Sequence, residues 1–294
     1  MRQPFEEDPQ GAPGGYKIAE HAGVPVIGSY SYAEEYQNPT LYPIAAFFPT
    51  AQARVMFRVM KDEGVTKVAI LAINVPVAAE SAKRATAEAS RLGLTVVSNA
   101  RYAPTQTDFT AYVTKAIGAG AQAIQQIGGY TQGVAVAKAL AQQGSNAKLI
   151  FASGYNASIA SEIGSWGNGR VFSATPLLTL PERPGVVQAL KQSGSSKVDA
   201  SSNFVAVGWT DAEIATEGVR LLGSNAATAP NMINALNSIS NFKGTYTASP
   251  LTYGSGVHAS PSTCVQVQEM ENGVLGVRKG TSPVCFAGSV APTS

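Results

Sequence analysis

The chain has 294 residues, of which 45% are hydrophobic and only 14% are charged. That length supports one large or two medium domains with real cores, and the charged fraction is well below the usual quarter or so. The net charge is +2, and with no block of Lys or Arg it leaves a nucleic-acid footprint unsupported, while no apolar run approaches the ~18 residues of a membrane span.

In chain order, Met1-Arg2-Gln3-Pro4 leads into acidic and Gly/Pro-rich residues instead of the apolar core of a signal peptide. Val24–Ile27 reads as a short strand. Thr50 reads as the N-cap of a helix that buries Val55, Met56, Val59 and Met60. From Lys67 the pattern becomes regular. Lys67–Ile73 is a continuous β-rich run, and Ala78, Ala82, Ala85, Ala89 and Leu92 follow at helical spacing. Leu94–Val97 is the next strand, and Phe109, Tyr112, Val113, Ala116 and Ile117 form a second helical face. Ala121–Ile127 is a strand, Gly133–Gln143 a helix and Lys148–Ala152 a strand. Gly64, Gly93, Gly120 and Gly144 each fall between a helix and a strand, at intervals of 29, 27 and 24 residues (64 to 93, 93 to 120, 120 to 144). Glycine is favoured there because a helix commonly ends on a residue with positive φ. Repeated helix–Gly–strand units of this length predict βαβ crossovers and a parallel sheet with helices on both faces.

Beyond this block, Arg170–Ala174 is a strand. Thr175–Gly185 carries Pro176, Pro181 and Pro184 and reads as a crossing segment. Val205–Leu222 is a long helix and Asn231–Ser238 a short one. From Tyr246 onward strands and turns prevail, with Glu271-Asn272-Gly273 as a hairpin signal. The two cysteines, Cys264 and Cys285, lie in strand-like stretches. They read either as a disulfide, which suits an oxidising compartment, or as two unrelated buried thiols.

Several segments together resemble the type I periplasmic binding proteins, in particular the leucine/isoleucine/valine-binding branch. They are Ala19–Ile27, Val65–Leu71, Thr107–Lys115 with Gly120–Ile124, Gly128-Gly-Tyr130, Trp209-Thr-Asp-Ala212, Phe242–Gly244 and Tyr253–His258. Their order holds from about Tyr16 to Leu275. The resemblance implies an α/β fold of two Rossmann-like lobes, each a parallel sheet flanked by helices, joined by three crossings. It implies an N-terminal lobe from residues 1–47 plus 175–252 and a C-terminal lobe from 48–174 plus 253–294. Members of the family carry further strand–helix units ahead of Ala19, so the first lobe is expected to be incomplete at its N-terminus, with a signal segment belonging to the full-length form. The function implied is an extracytoplasmic solute-binding protein of an ABC importer. It takes a small solute between the lobes by hinge closure and is read by an ABC permease in the membrane. A ligand-sensing domain of a receptor or regulator shares the fold and is the alternative.

In a doubly wound sheet, ligands bind outside the carboxyl ends of the strands. That rule nominates the loops holding Ser29, Tyr30 and Ser31, then Asn74, then Tyr130 and Thr131, then Tyr155. Hydroxyls and aromatics suit a small solute held by hydrogen bonds and ring contacts. The resemblance adds that Ser29 and Ser31 fit a carboxylate-holding position, that Tyr130 fits a ring packed on the solute, and that Trp209 is a pocket-wall position. It also implies an acid in the fourth loop to pair with an ammonium, but Ala152-Ser-Gly-Tyr155 has none. A buried ammonium without a carboxylate is costly, which favours an amide, a carboxylic acid or an aromatic compound over a plain α-amino acid. Asp211 reads either as a pocket-wall and hinge contact or, the favoured reading, as an N-cap-region and packing residue. His21 and His258 have no metal-ligand or triad partner at recognisable spacing, and there is no GxGxxG fingerprint, nucleophile elbow or paired carboxylates. No enzyme activity, metal or cofactor is expected.

Overall fold

The computed structural model describes residues 12–28, 30–31, 38–46, 49–151, 158–175, 177, 184–195, 203–254, 264–280 and 283–285. The chain divides into two compact units. One takes Met1–Phe48, Pro176–Cys264 and Cys285–Ser294, the other Pro49–Thr175 and Val265–Val284.

The second unit is built on β5 (Lys67–Ile73), β6 (Thr95–Tyr102), β7 (Ala123–Ile127), β8 (Lys148–Phe151) and β9 (Val171–Thr175). Neighbours among these strands run parallel, and β10 (Cys264–Glu271) and β11 (Val274–Val277) add antiparallel strands at one side. The spatial order is β11-β10-β9-β8-β7-β5-β6, with β12 (Val284–Cys285) paired to β10. Helices α2 (Pro49–Asp62) and α3 (Pro76–Arg91) pack on each other, with α3 against β5 and α2 against β9. α4 (Thr110–Gly118), α5 (Tyr130–Gln142) and α6 (Ile159–Ile163) contribute to a core with Leu71, Phe109, Val136, Leu140, Leu149 and Phe151. The expected alternation is therefore present, and the helical stripe of Ala78, Ala82, Ala85 and Ala89 is the buried face of α3. Small side chains at these positions let the helix lie close to the sheet. The four glycines at the helix–strand junctions all have positive φ, from +61° to +85°. This is the left-handed backbone that any Cβ would penalise.

Several boundaries move. The strand expected to end at Val97 continues to Tyr102 as β6, because an edge strand tolerates polar residues that end an apolar run, here Ser98 and the exposed Asn99 and Arg101. The helix expected from Gly133 begins at Tyr130, capped by extended Gly129. The helix assigned to an N-cap at Thr50 begins at Pro49, so Thr50 lies within its first turn; proline suits a first helical position, where no amide is needed. The proline-rich crossing likewise hides α7 (Pro184–Gln192), which starts on a proline. The hairpin turn is as read. Asn272 and Gly273 have φ of 50° and 75°, the pair of positive angles a type I′ turn demands, and Glu271 pairs with Val274.

In the first unit, α1 (Ala12–His21) precedes two short parallel pairs. β1 (Val26–Ile27) pairs with β3 (Leu41–Tyr42), and β2 (Tyr30–Ser31) with β4 (Ala45–Ala46). The long helix α8 (Asn203–Leu222) and α9 (Ala229–Asn237) pack on each other, and α8 also packs on β1. Their core gathers Tyr42, Ile44, Val207, Ile214, Leu236, Tyr246 and Tyr253. Tyr42 and Tyr253 meet edge-to-face at 5.4 Å, and their hydroxyls are satisfied inside the unit, Tyr253 donating to Pro43 O at 2.6 Å and Tyr42 to Asn237 Oδ1 at 2.7 Å. Among the described residues no helix is long and apolar enough to cross a membrane.

Candidate functional site

In the second unit, β6 lies on one side of β5 and β7 on the other, so the chain reverses its winding direction between β5 and β7. A crevice opens at such a switch point, outside the carboxyl ends of the strands. Asn74 stands there just past β5, exposed, its backbone amide held by Tyr102 O at 2.8 Å. Past β7, Gly128 and Gly129 make the turn and Tyr130 opens α5. The turn is tight: a Cβ on Gly128 would collide with the Tyr102 hydroxyl, which accepts from Gln126 Nε2 at 2.8 Å and donates to Ile127 O. Burial pushes that phenol up to about 12, so it stays a neutral donor and acceptor.

Tyr130 is half-buried. Its ring stacks on Phe151 with centroids 5.7 Å apart and planes at 24°. Its hydroxyl lies 2.9 Å from Ser158 Oγ and donates to Glu162 Oε1 at 2.6 Å. Thr131 is exposed in the same first turn. The arrangement offers an aromatic wall, a hydroxyl pair and a carboxylate beside one helix start, which suits holding a small solute. Among the described residues no group of three or more His, Cys, Asp or Glu could hold a metal.

In the first unit, Tyr30 and Ser31 form β2, while Ser29 and Tyr155 lie outside the described residues. Trp209 sits in the second turn of α8, its indole N–H donating to Glu213 Oε1 at 3.0 Å. Glu213 also accepts from the Thr245 amide at 2.8 Å and from the Thr245 hydroxyl. The polar edge of Trp209 is therefore committed within its own unit, and its ring packs on the core. Asp211 is not an N-cap, because α8 begins eight positions earlier at Asn203. Its carboxyl lies against the backbone of Gly28, just past β1: a Cβ there would fall 2.6 to 2.8 Å from the two carboxyl oxygens. Gly28 has φ of +108°, and glycine is required on both counts. Asp211 Oδ1 is shielded from solvent and has no hydrogen-bond partner among the described residues, and burial pushes the carboxyl up to about 7.

A sequence model of the family described as "Periplasmic binding protein" matches residues 14–274. The chain belongs to the periplasmic binding protein family. No curated protein sequence matches it. Among solved structures, it resembles a branched-chain amino acid ABC transporter protein from Thermus thermophilus with bound valine. That match has a TM-score of 0.81 and 16% identity, covering 95% of this chain and 77% of the other. It also resembles an R. palustris solute-binding protein in complex with benzoate, with a TM-score of 0.75 and 15% identity over 90% of this chain and 73% of the other. A second R. palustris solute-binding protein, in complex with 4-hydroxybenzoate, matches with a TM-score of 0.72 and 19% identity over 90% and 73%. At these identities the likeness speaks to the fold.

For a periplasmic binding protein, the group that sequence reasoning missed is Glu162. An acid was sought in the loop right after β8, and none stands there. The fold instead brings one back from the first turn of α6, 11 positions past the end of β8 (151 to 162), onto the Tyr130 hydroxyl. The signal was present only as Tyr130 and Glu162 at a separation no motif prescribes. Asp211 was visible but assigned a cap it does not make.

Proposed function

We propose that this chain is the extracytoplasmic solute-binding component of an ABC importer, acting by hinge closure on a small amino-acid-like, amide, carboxylic or aromatic solute and presenting it to a membrane permease. The match to the periplasmic binding protein family over residues 14–274 is the observation that carries this reading. The exposed Asn74 and the Tyr130, Ser158 and Glu162 group at the switch point support a polar-plus-aromatic solute. So does the range of compounds in the structural neighbours, from valine to benzoate and 4-hydroxybenzoate. Ser29, Tyr30, Ser31, Thr131, Tyr155 and Trp209 are proposed to complete the contacts. We further propose that the two compact units act as the two lobes, with residues 253–264 and 285–294 grouped with the first and not, as expected from the sequence, with the second.

The test is a thermal-shift screen against amino acids, amides, short-chain acids and aromatic acids. A solute that binds only the folded state raises the melting point, by about 2.7 kcal/mol of stabilisation at a hundredfold excess over Kd. One class of hits, weakened by Tyr130→Ala, is the expected result. Hits that ignore Tyr130→Ala, Glu162→Gln and Asn74→Ala alike would place the site elsewhere.

A further inference from the structure

The turn that opens the crevice after β7 rests on two buried polar side chains. Gln126 and Tyr102 are 0% and 1% exposed, so neither reaches a solute itself. The Gln126 amide donates to the Tyr102 hydroxyl at 2.8 Å, and that hydroxyl donates to Ile127 O at 3.2 Å. The same amide lies 3.5 Å from Gly129 O. A Cβ added to Gly128 would meet both the phenol oxygen and the Gln126 amide, so the turn sits directly on this pair. Tyr102 also reaches the other loop. Its backbone carbonyl takes the Asn74 amide at 2.8 Å, so the residue that ends β6 ties down the loops after β5 and β7 alike. Its ring packs edge-to-face on Phe109, centroids 4.9 Å apart, which fixes where the hydroxyl stands. Gln126 is unfavourable for stability. Its Oε1 is buried with no hydrogen-bond partner among the described residues. An unbonded buried acceptor destabilises, and an apolar side chain of the same shape would remove that penalty. The Tyr102 hydroxyl would still donate to Ile127 O without it. Packing gives no reason for a glutamine here; the turn does.

We propose that Gln126 and Tyr102 are positioning residues for the solute, holding Gly128-Gly129-Tyr130 and Asn74 at the switch point in the geometry that receives it. This deepens the solute-binding reading and rests on it. Groups already set in place bind best, because every loop ordered on binding lowers the affinity. A Gly-Gly turn has more backbone freedom than any other pair of residues, so its order must come from outside the turn. The chain of bonds from the Gln126 amide through the Tyr102 hydroxyl to Ile127 O supplies it. Gln126 thus lowers the stability of its unit and raises the affinity, a combination that a purely structural residue does not produce.

The test uses the full chain and three probes, L-valine, benzoate and 4-hydroxybenzoate, the compounds bound in the structural neighbours. Gln126→Met keeps the unbranched shape and deletes the amide, and Tyr102→Phe deletes only the hydroxyl. Val113→Ala, in the buried face of α4, is a control that lowers stability away from the turn. Any probe that binds the wild type is expected to bind Gln126→Met and Tyr102→Phe about tenfold more weakly, one hydrogen bond's worth. Gln126→Met melts no lower than the wild type, whereas Val113→Ala melts lower and keeps its Kd. Affinity that holds in both variants, or that falls with the melting point in Val113→Ala as well, overturns the proposal and leaves the solute-binding reading standing. Hydrogen exchange gives a second arm that needs no solute. Amides of residues 128–133 are expected to exchange faster in both variants, while those of β5 keep the wild-type rate. Unchanged exchange at 128–133 overturns the proposal by itself. Both arms are read on Tyr102→Phe too, so the test survives a Gln126→Met chain that folds poorly. Binding of none of the probes to the wild type counts against the solute-binding reading, and the exchange arm then still decides whether the pair anchors the turn.

Discussion

Asp211 governs how the first unit responds to pH. Its folded-state pKa of about 7 lies above the ordinary carboxyl value near 3.9, so the folded chain holds a proton that the unfolded chain has released. Its stabilising contribution is complete below about pH 4 and is lost as pH rises towards 7. Asp211→Asn mimics the protonated form. Urea unfolding is therefore expected to show the wild type weaker at about pH 8 than at about pH 5, with that part of the difference absent in the variant. An identical pH profile would show that the carboxyl is solvated after all. Trp209 gives a second residue-scale prediction. Trp209→Phe removes the donor to Glu213 but leaves both Thr245 bonds, so it costs about 1 kcal/mol of stability, and as a proposed solute contact it is expected to weaken solute affinity as well. Unchanged affinity beside the loss of stability would confine Trp209 to the core.

At the scale of elements, α5 is held on the sheet by the absence of a side chain. Gly133 is buried, and a Cβ there would enter the ring of Phe151, the ring on which Tyr130 stacks. Alanine gains about 1 kcal/mol of helix propensity but overpacks a fixed aromatic at a cost of about 1–3 kcal/mol or more. The packing term wins, so Gly133→Ala is expected to lower the melting point and to displace Tyr130; an unchanged or raised melting point would show that the ring has room. The α2–α3 contact depends on Glu88, buried and bonded by Arg54 at 2.9 Å and by Arg91 at 2.8 Å. Burial alone would raise its pKa, yet the bonds from Arg54 and Arg91 outweigh burial and hold it below the ordinary value. Its contribution is present at neutral pH and lost as pH falls through that depressed pKa. Arg54→Leu should cost about 1–3 kcal/mol at neutral pH, by denaturant midpoint, and less in acid.

For the molecule as a whole, Cys264 is disulfide-bonded, and the sequence holds only one other cysteine, Cys285. Cys264→Ser is expected to cost about 2–4 kcal/mol, since the cross-link restricts the unfolded chain. Reductant should lower the wild-type melting point by the same amount and leave the variant untouched.

Composition, periodicity and the glycines at 64, 93, 120 and 144 determined by themselves that the chain carries a parallel sheet flanked by helices. Each crossover is a local pattern, an apolar run, a helical stripe and a residue free to take positive φ, and none needs a distant partner. The loops after β5 and β7 were legible for the same reason, because they follow from strand order along the chain. Tertiary structure decided what local pattern does not encode. It carried β6 on through polar residues because the strand lies at an edge, and started helices on Pro49 and Pro184, where proline costs no amide bond. It joined Glu162 to Tyr130 across 32 positions, and it set Asp211 against Gly28, far back in the sequence. Such pairings depend on which elements the sheet and helices bring side by side, and the energy that selects them is burial summed over the whole core.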